Sequence, residues 1–239
     1  MNENNCSQVQ GVALGFMAGY VDAFGFLALF GLFTAHVTGN FIMIGAALAD
    51  PASSSILLKW LAFPAFIAGV AVARLLVVAM ETRQAPALRP ALLLELALLA
   101  GFMVFGLVAT PIGGSSDPLA MTAGLLGAAG MGAHSAISRL LLGHLAPTSM
   151  MTGNVTQIVI DSVDLLRGAA DPGLRTRFSK FLWPLVSFAI GCIAAAFAVR
   201  WFGFAALALP LLILIALLAL EGRMATQRKR EQAQVHVPS

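Results

Sequence analysis

Charged side chains are the first thing missing from this chain. They make up 10% of the 239 residues, while 59% are hydrophobic, and a soluble domain of ordinary composition carries about 25% charge. Too little polar surface remains to cover a water-facing globule, which excludes a soluble fold. Cysteine is nearly absent too. Cys6 sits in a polar amino-terminal stretch and Cys192 inside an apolar run, which gives neither a disulfide framework nor a metal-ligand spacing. Both thiols are therefore expected to be inert, and neither a metal nor a cofactor is implied. Lys and Arg are missing from Met1 to Gln10, where a cleavable signal peptide would carry them, so the first apolar helix is expected to be retained. Gly-x-Ser-x-Gly, His-Glu-x-x-His and paired catalytic aspartates are missing as well, which argues against an enzyme. The sequence pI of 9.3 does not imply nucleic acid, because the basic residues flank apolar runs and so report orientation in a bilayer.

What is present is apolar length. Six stretches read as membrane spans: Gly11 to Phe33, Ile56 to Met80, Ala91 to Thr110, Leu119 to Leu142, Phe181 to Arg200 and Phe202 to Leu220. About twenty apolar residues suffice to cross roughly 30 Å of hydrocarbon. Two further pieces, Phe41 to Ala49 and Val155 to Leu166, make only about 14 Å and about 18 Å of helix. Each follows a Thr-Gly-Asn triplet, Thr38-Gly39-Asn40 in one case and Thr152-Gly153-Asn154 in the other.

The paired triplets give a register for an internal repeat. Sliding one half onto the other sets Thr34 on Thr148, Gly15 on Ala129, Gly19 on Ala133 and Asp22 on Ala136, and pairs Tyr20 with His134. With a small insertion, Phe66-Ile67-Ala68-Gly69 falls on Phe188-Ala189-Ile190-Gly191. The expected organisation is one membrane domain. It comprises a first repeat from Gly11 to Thr110, a linker from Pro111 to Pro118, a second repeat from Leu119 to Leu220 and a tail over 221–239.

Lys and Arg concentrate on the cytoplasmic side of a membrane protein. If both short pieces cross, Lys59, Arg167, Arg175, Arg177, Lys180, Arg223, Arg228, Lys229 and Arg230 oppose Arg83, Arg89, Arg139 and Arg200, nine against four. If both dip in and return, only Lys59 and Arg200 oppose the other eleven. The second arrangement obeys the rule better. It gives an all-α membrane fold of six transmembrane helices and two half-helices, with both termini cytoplasmic. Three spans per repeat is an odd number, so the repeats are inverted copies, as in many secondary transporters.

Several polar residues stand out against this background. Thr is a good helix N-cap and Gly lets a chain turn, so each triplet is expected to open a half-helix whose free N–H groups suit an anionic or polar ligand. Thr38, Gly39, Asn40, Thr152, Gly153 and Asn154 are the candidate substrate-binding residues, although the Asn side chains equally well tie neighbouring loops together. Asp22 lies in the first span, where a charge costs about 3 kcal/mol. With His36 and His134, which titrate near neutrality, it is a candidate for ion coupling. Arg74 and Glu95 are expected to snorkel or to pair with each other, Asp161 and Asp164 to lie at the cytoplasmic surface, and Arg223 to Arg230 to touch anionic headgroups. Gly11, Gly15 and Gly19, echoed by Ala129 and Ala133, form a small-residue ridge expected to join the first helices of the two repeats.

Gly19-Tyr20-Val21-Asp22-Ala23, continuing through Phe26-Leu27 to Thr38-Gly39-Asn40, resembles the YoaK family of bacterial multi-pass membrane proteins over nearly the whole chain. The resemblance implies a bacterial inner-membrane location and supplies neither a substrate nor catalytic residues. The expected function is a small secondary transporter or permease for a polar or anionic solute. The expected partners are the lipid bilayer and that solute, and a homodimer is compatible with six short spans. The alternatives are an intramembrane enzyme, with Asp22, His36 and His134 as its acid-base groups, and a non-transporting scaffold.

Overall fold

The computed structural model describes residues 3–49, 56–168 and 171–235. The side chains of Cys6, Arg228, Lys229 and Arg230 lie outside the described ones. Among the described residues, eight α-helices follow in order: α1 Glu3–Ala28, α2 Gly39–Ala49, α3 Ile56–Thr82, α4 Leu88–Ala109, α5 Pro118–Leu140, α6 Met151–Leu166, α7 Leu174–Phe202 and α8 Ala208–Val235. A 3-10 turn, Gly203–Leu207, separates the last two.

Four of the described continuous segments are long and apolar enough to cross a membrane: Ser7–Ala28, Ile56–Thr82, Leu88–Ala109 and the 50-residue Leu174–Arg223. The last joins α7 to most of α8. It breaks at Gly203, whose φ of +52° suits a residue without a Cβ. α5, expected to span from Leu119 to Leu142, is long enough but less apolar than these four. It is the helix at the centre, with thirteen of its 23 residues buried. A helix enclosed by protein faces little lipid and can carry Gly, Ser and His where a lipid-facing helix needs Leu and Val.

The lipid-facing surface is written on the outer helices. Leu75, Phe197, Trp201, Phe202 and Leu212 are all more than 60% exposed, which only hydrocarbon makes tolerable. All three tryptophans are exposed. Trp183 lies near the start of α7 and Trp201 near its end, about 27 Å apart along a helix, which matches the spacing of two interfacial aromatic belts.

Helix packing rests on missing side chains. Along α1 and α7, Gly11 and Gly15 face Pro184, and Gly19 lies on the backbone of Phe188, while Gly191 lies on the backbone of Phe16. Along α3 and α5, Gly69 lies on the backbone of Ala129 and Gly132 on that of Phe66. A Cβ at Gly19, Gly69, Gly132 or Gly191 would overlap a carbonyl oxygen. Close backbone approach of this kind is how helices associate in lipid. The ridge on α1 therefore packs against α7, and α1 and α5 touch only sparsely. This corrects the expectation that the ridges join the first helices of the two halves.

The two interfaces use matched positions. Phe66 and Gly69 take the places of Phe188 and Gly191, as the sequence alignment sets them, whereas Gly19 corresponds to Gly132 and not to Ala133. The loop leading to the second triplet is thus one residue longer than the first. This moves the counterpart of Asp22 from Ala136 to Ser135 and separates Tyr20 from His134.

Contacts along the helices fix their directions. α1 and α7 are parallel, with Gln8 beside Ser179 and Gly19 beside Phe188. α3 and α5 are parallel, with Leu58 beside Gly124 and Ala73 beside Ala136. α4 runs against α5, with Glu95 beside His134 and Phe102 beside Gly127. α8 runs against α4, since Gly222 meets Arg89 while Phe204, just before α8, meets Gly106. Phe24, Phe102 and Phe204 close one end of the bundle in edge-on contacts. Tyr20 Oη donates to the carbonyl of Ala206 at 2.9 Å beside them.

Candidate functional site

After α1 the chain turns at Phe30 and Gly31, both with positive φ, and comes back along the helix it has left. Thr34, Ala35 and His36 thereby meet Asp22, more than a turn below the end of α1. Asp22 Oδ1 accepts from the Ala35 amide at 2.7 Å, with longer contacts of 3.4 Å from Thr34 Oγ1 and from the His36 amide. Asp22 Oδ2 lies 2.6 Å from His36 Nδ1. The carboxylate is 4% exposed, and its burial is offset by the unwound backbone it satisfies. The His36 ring is 37% exposed and meets Phe188 of α7 edge-on. Two residues that the sequence suggests separately for ion coupling form one pair.

After α5 the chain turns back in the same way. Thr148 and Ser149 return to His134, Ser135 and Ser138. Ser135 Oγ donates to Ser149 Oγ at 2.9 Å, the counterpart of the contact between Asp22 and Ala35. His134 Nε2 lies 2.9 Å from Thr148 Oγ1, which donates to Ser138 Oγ at 3.3 Å. His134 Nδ1 lies 2.9 Å from Glu95 Oε1 on α4.

Glu95 and His134 are 0% and 1% exposed. Glu95 Oε2 has no hydrogen-bond partner among the described residues. A carboxyl, an imidazole and two hydroxyls thus form one chain through the centre of the bundle. Each hydroxyl and the neutral imidazole can both donate and accept, so the chain can reverse its direction as a proton enters or leaves.

The sequence does not single out Glu95 for chemistry and leaves it to snorkel or to pair with Arg74. The structure corrects this: Glu95 lies against His134, and Arg74 reaches Glu81 at 3.5 Å in an exposed contact. A lone acid in the apolar run after Ala91 is the signal that could have found it. Thr148 is legible as the repeat partner of Thr34, but its neighbours Ser138 and Ser149 carry no signal of their own.

The triplets open the short helices, with differences from expectation. α2 begins at Gly39, whereas α6 begins at Met151 with Met150 as its N-cap. Thr152-Gly153-Asn154 therefore fills the first turn of α6 and does not precede it. Asn40 and Asn154 are both 1% exposed and reach back seven residues. Asn40 Nδ2 donates to the Phe33 carbonyl at 2.8 Å, while its Oδ1 accepts from the Phe33 amide at 2.9 Å. Asn154 Nδ2 donates to the Pro147 carbonyl at 2.8 Å. Thr38, Thr152 and Gly153 are exposed and Gly39 is half-buried beside the Phe33 ring.

α2 packs on α3 and α6 on α7, and among the described residues α2 and α6 do not touch. The two triplets do not converge on one point, because the tightly packed pairs of long helices stand between them. Asp161, expected at the surface with Asp164, is fully buried on α6 and accepts from Gln157 Nε2 at 2.9 Å and from Arg177 Nε of α7 at 3.0 Å. Asp164 is half-buried. The described residues hold no cluster of His, Cys, Asp and Glu suited to a metal ion. Cys192 Sγ donates to the Gly19 carbonyl at 3.3 Å.

Apolar helices of this length, packed through glycine and interrupted by polar turned-back loops, define a helical membrane protein with several crossings. The chain belongs to the family described as protein of unknown function (DUF1275), which matches residues 10–220, and the YoaK resemblance agrees with that membership. No curated protein and no solved structure matches the chain.

Proposed function

We propose that this chain is a small proton-coupled secondary transporter of the bacterial inner membrane, carrying a polar or anionic solute and having no catalytic activity of its own. The observation that carries the reading is the buried chain Glu95–His134–Thr148–Ser138, an ionisable pair with nothing to hold at the protein surface. Intramembrane acids are rare and mark proton and ion paths. The Asp22–His36 pair at the other turned-back loop gives the second candidate coupling group.

The topology supports the same reading. Helices α1, α3, α4, α5, α7 and α8 run in alternating directions, and in this reading all six cross the membrane while α2 and α6 return to the side they came from. In this reading three crossings per half make the halves inverted copies, and the excess of Lys and Arg on one side favours both termini in the cytoplasm. In this reading Asn40 and Asn154 position the loops. Because the two triplets do not meet, Thr38 with Gly39 at one turned-back loop and Thr152 with Gly153 at the other serve as two separate sets of solute contacts.

The test is flux in liposomes carrying the purified chain, with a pH-sensitive dye inside and a panel of polar solutes outside. Solute-dependent proton movement that disappears in Glu95→Gln supports the reading. Solute flux indifferent to both Glu95→Gln and Asp22→Asn removes proton coupling. No flux for any solute, with the fold intact, leaves a packing scaffold. Product formation in detergent without a gradient would make the protein an enzyme.

A further inference from the structure

Away from the buried pairs, a cavity of about 490 Å³ opens where the first turns of α1, the chain just after α5 and the first two turns of α7 meet. Its polar lining comprises Ser7, Gln8, His144, Arg175, Thr176, Ser179 and Lys180, and no Asp or Glu among the described residues lines it. The nearby carboxylates are engaged elsewhere, since Asp161 and Asp171 both bind Arg177, at 3.0 and 3.1 Å. Among the described residues, neither Arg175 nor Lys180 is within ion-pair distance of a carboxylate. Gly11, Leu145, Ala146 and Pro184 complete the walls. Gln8 Nε2 and Ser179 Oγ bridge α1 and α7 by a long contact of 3.4 Å.

We propose that this cavity binds a small organic anion through phosphate or carboxylate oxygens. Arg175 offers a planar fork of donors and Lys180 a mobile charge, with Thr176, Ser179 and Gln8 as neutral donors between them. A volume of about 490 Å³ falls in the range of about 300–1,000 Å³ typical of small-molecule sites. It leaves room for an organic body beyond the charged group. The same oxygen chemistry is found in soluble polyanions and in anionic lipid headgroups. The proposal goes beyond the transport reading, because occupancy is a binding property measurable without flux.

The experiment uses the full chain, first in neutral detergent with citrate and pyrophosphate as probes, then in nanodiscs of phosphatidylcholine with or without phosphatidylglycerol. Exposed Trp183, one helical turn from Lys180, provides a fluorescence signal beside the apparent melting temperature. Saturable binding of a soluble probe, weakened more than tenfold in Arg175→Ala/Lys180→Ala and unchanged in Arg83→Ala, identifies a soluble anion as the ligand. Preference for phosphatidylglycerol with the same dependence, and no response to soluble probes, identifies a headgroup. The exchange Arg175→Lys/Lys180→Arg keeps binding within a few-fold and guards against loss of fold in the alanine variant. Binding of no probe in either setting, or binding equal in the alanine variant and the native chain, overturns the proposal. A chain that binds but moves no solute would refute transport and leave this site standing.

Discussion

Asn154 donates to the carbonyl of Pro147 at 2.8 Å, yet its own Oδ1, buried beside a residue with no N–H, has no partner among the described residues. Its counterpart Asn40 grips Phe33 through both its amide N–H and its carbonyl. The two clamps have the same reach, and one of them is missing a donor because of a single proline.

That difference is measurable. Asn40→Ala removes two hydrogen bonds and leaves a backbone pair unsatisfied, so it should cost about 2–3 kcal/mol, and Asn154→Ala only about 1 kcal/mol. Pro147→Ala supplies the missing N–H. In a double-mutant cycle read by detergent-denaturant titration, Pro147→Ala should be more favourable by about 1 kcal/mol in the native background than in the Asn154→Ala background. Additivity would show that the orphaned oxygen is satisfied in some other way.

Glu95 and His134 should behave as one unit. His134→Leu leaves a buried carboxyl facing an apolar group and should cost about 3–5 kcal/mol. Adding Glu95→Leu should recover much of that, since an apolar pair of similar volume is often as stable as a buried ionic one. If the double variant is as unstable as the sum of the singles, the contact between them is not what stabilises the centre of the bundle.

Asp22 has two separable duties. Asp22→Asn keeps an oxygen for the Ala35 amide and should fold with an apparent melting temperature within a few degrees of the native chain. Asp22→Ala strands that amide and should lose about 2–3 kcal/mol. Equal melting temperatures for the two variants would mean that the turned-back loop does not depend on this side chain.

Gly69→Leu and Gly191→Leu force α3 off α5 and α7 off α1, and each should lower stability by about 3 kcal/mol. Gly45, in α2, has nothing near the position a Cβ would take. Gly45→Ala should be neutral or gain about 0.5–1 kcal/mol through the unfolded chain. A Gly69→Leu protein that purifies and melts like the native one would rule out close backbone packing at that crossing.

Single cysteines in place of Leu48, near the end of α2, and Leu166, at the end of α6, should react with impermeant maleimide from opposite faces of the membrane. Labelling of both from the same face would remove the inverted arrangement.

Much of the fold was legible from composition and spacing. The apolar runs marked where the long helices lie, because lipid demands a continuous apolar segment whatever the helix packs against. But the first span was expected to run to Phe33 and the helix ends at Ala28, and the last was expected from Phe202 to Leu220 and the helix runs from Ala208 to Val235. The triplets marked two short helices, and Phe66-Gly69 and Phe188-Gly191 align in the sequence as the structure pairs them. The helix ends were less accurate. α7 begins seven residues before the expected Phe181, at Leu174, since its polar first turns are held by Asp161 and Asp171 from outside the helix.

The candidate site was legible only in pieces. Asp22, His36 and His134 stood out because each is polar in an apolar setting, a property of the residue and its immediate neighbours. Their pairing was not legible, because nothing local says that a chain leaving α1 will fold back onto it, or that α4 will bring Glu95 to α5. The sequence by itself determined that the chain lives in a bilayer as packed helices with polar interruptions, since solvation by lipid acts on each segment independently. Only the tertiary structure decided which glycines meet which backbones and which acid faces which histidine. Those choices depend on helix rotation and on one extra residue in a loop, quantities set by the packing of all the helices together.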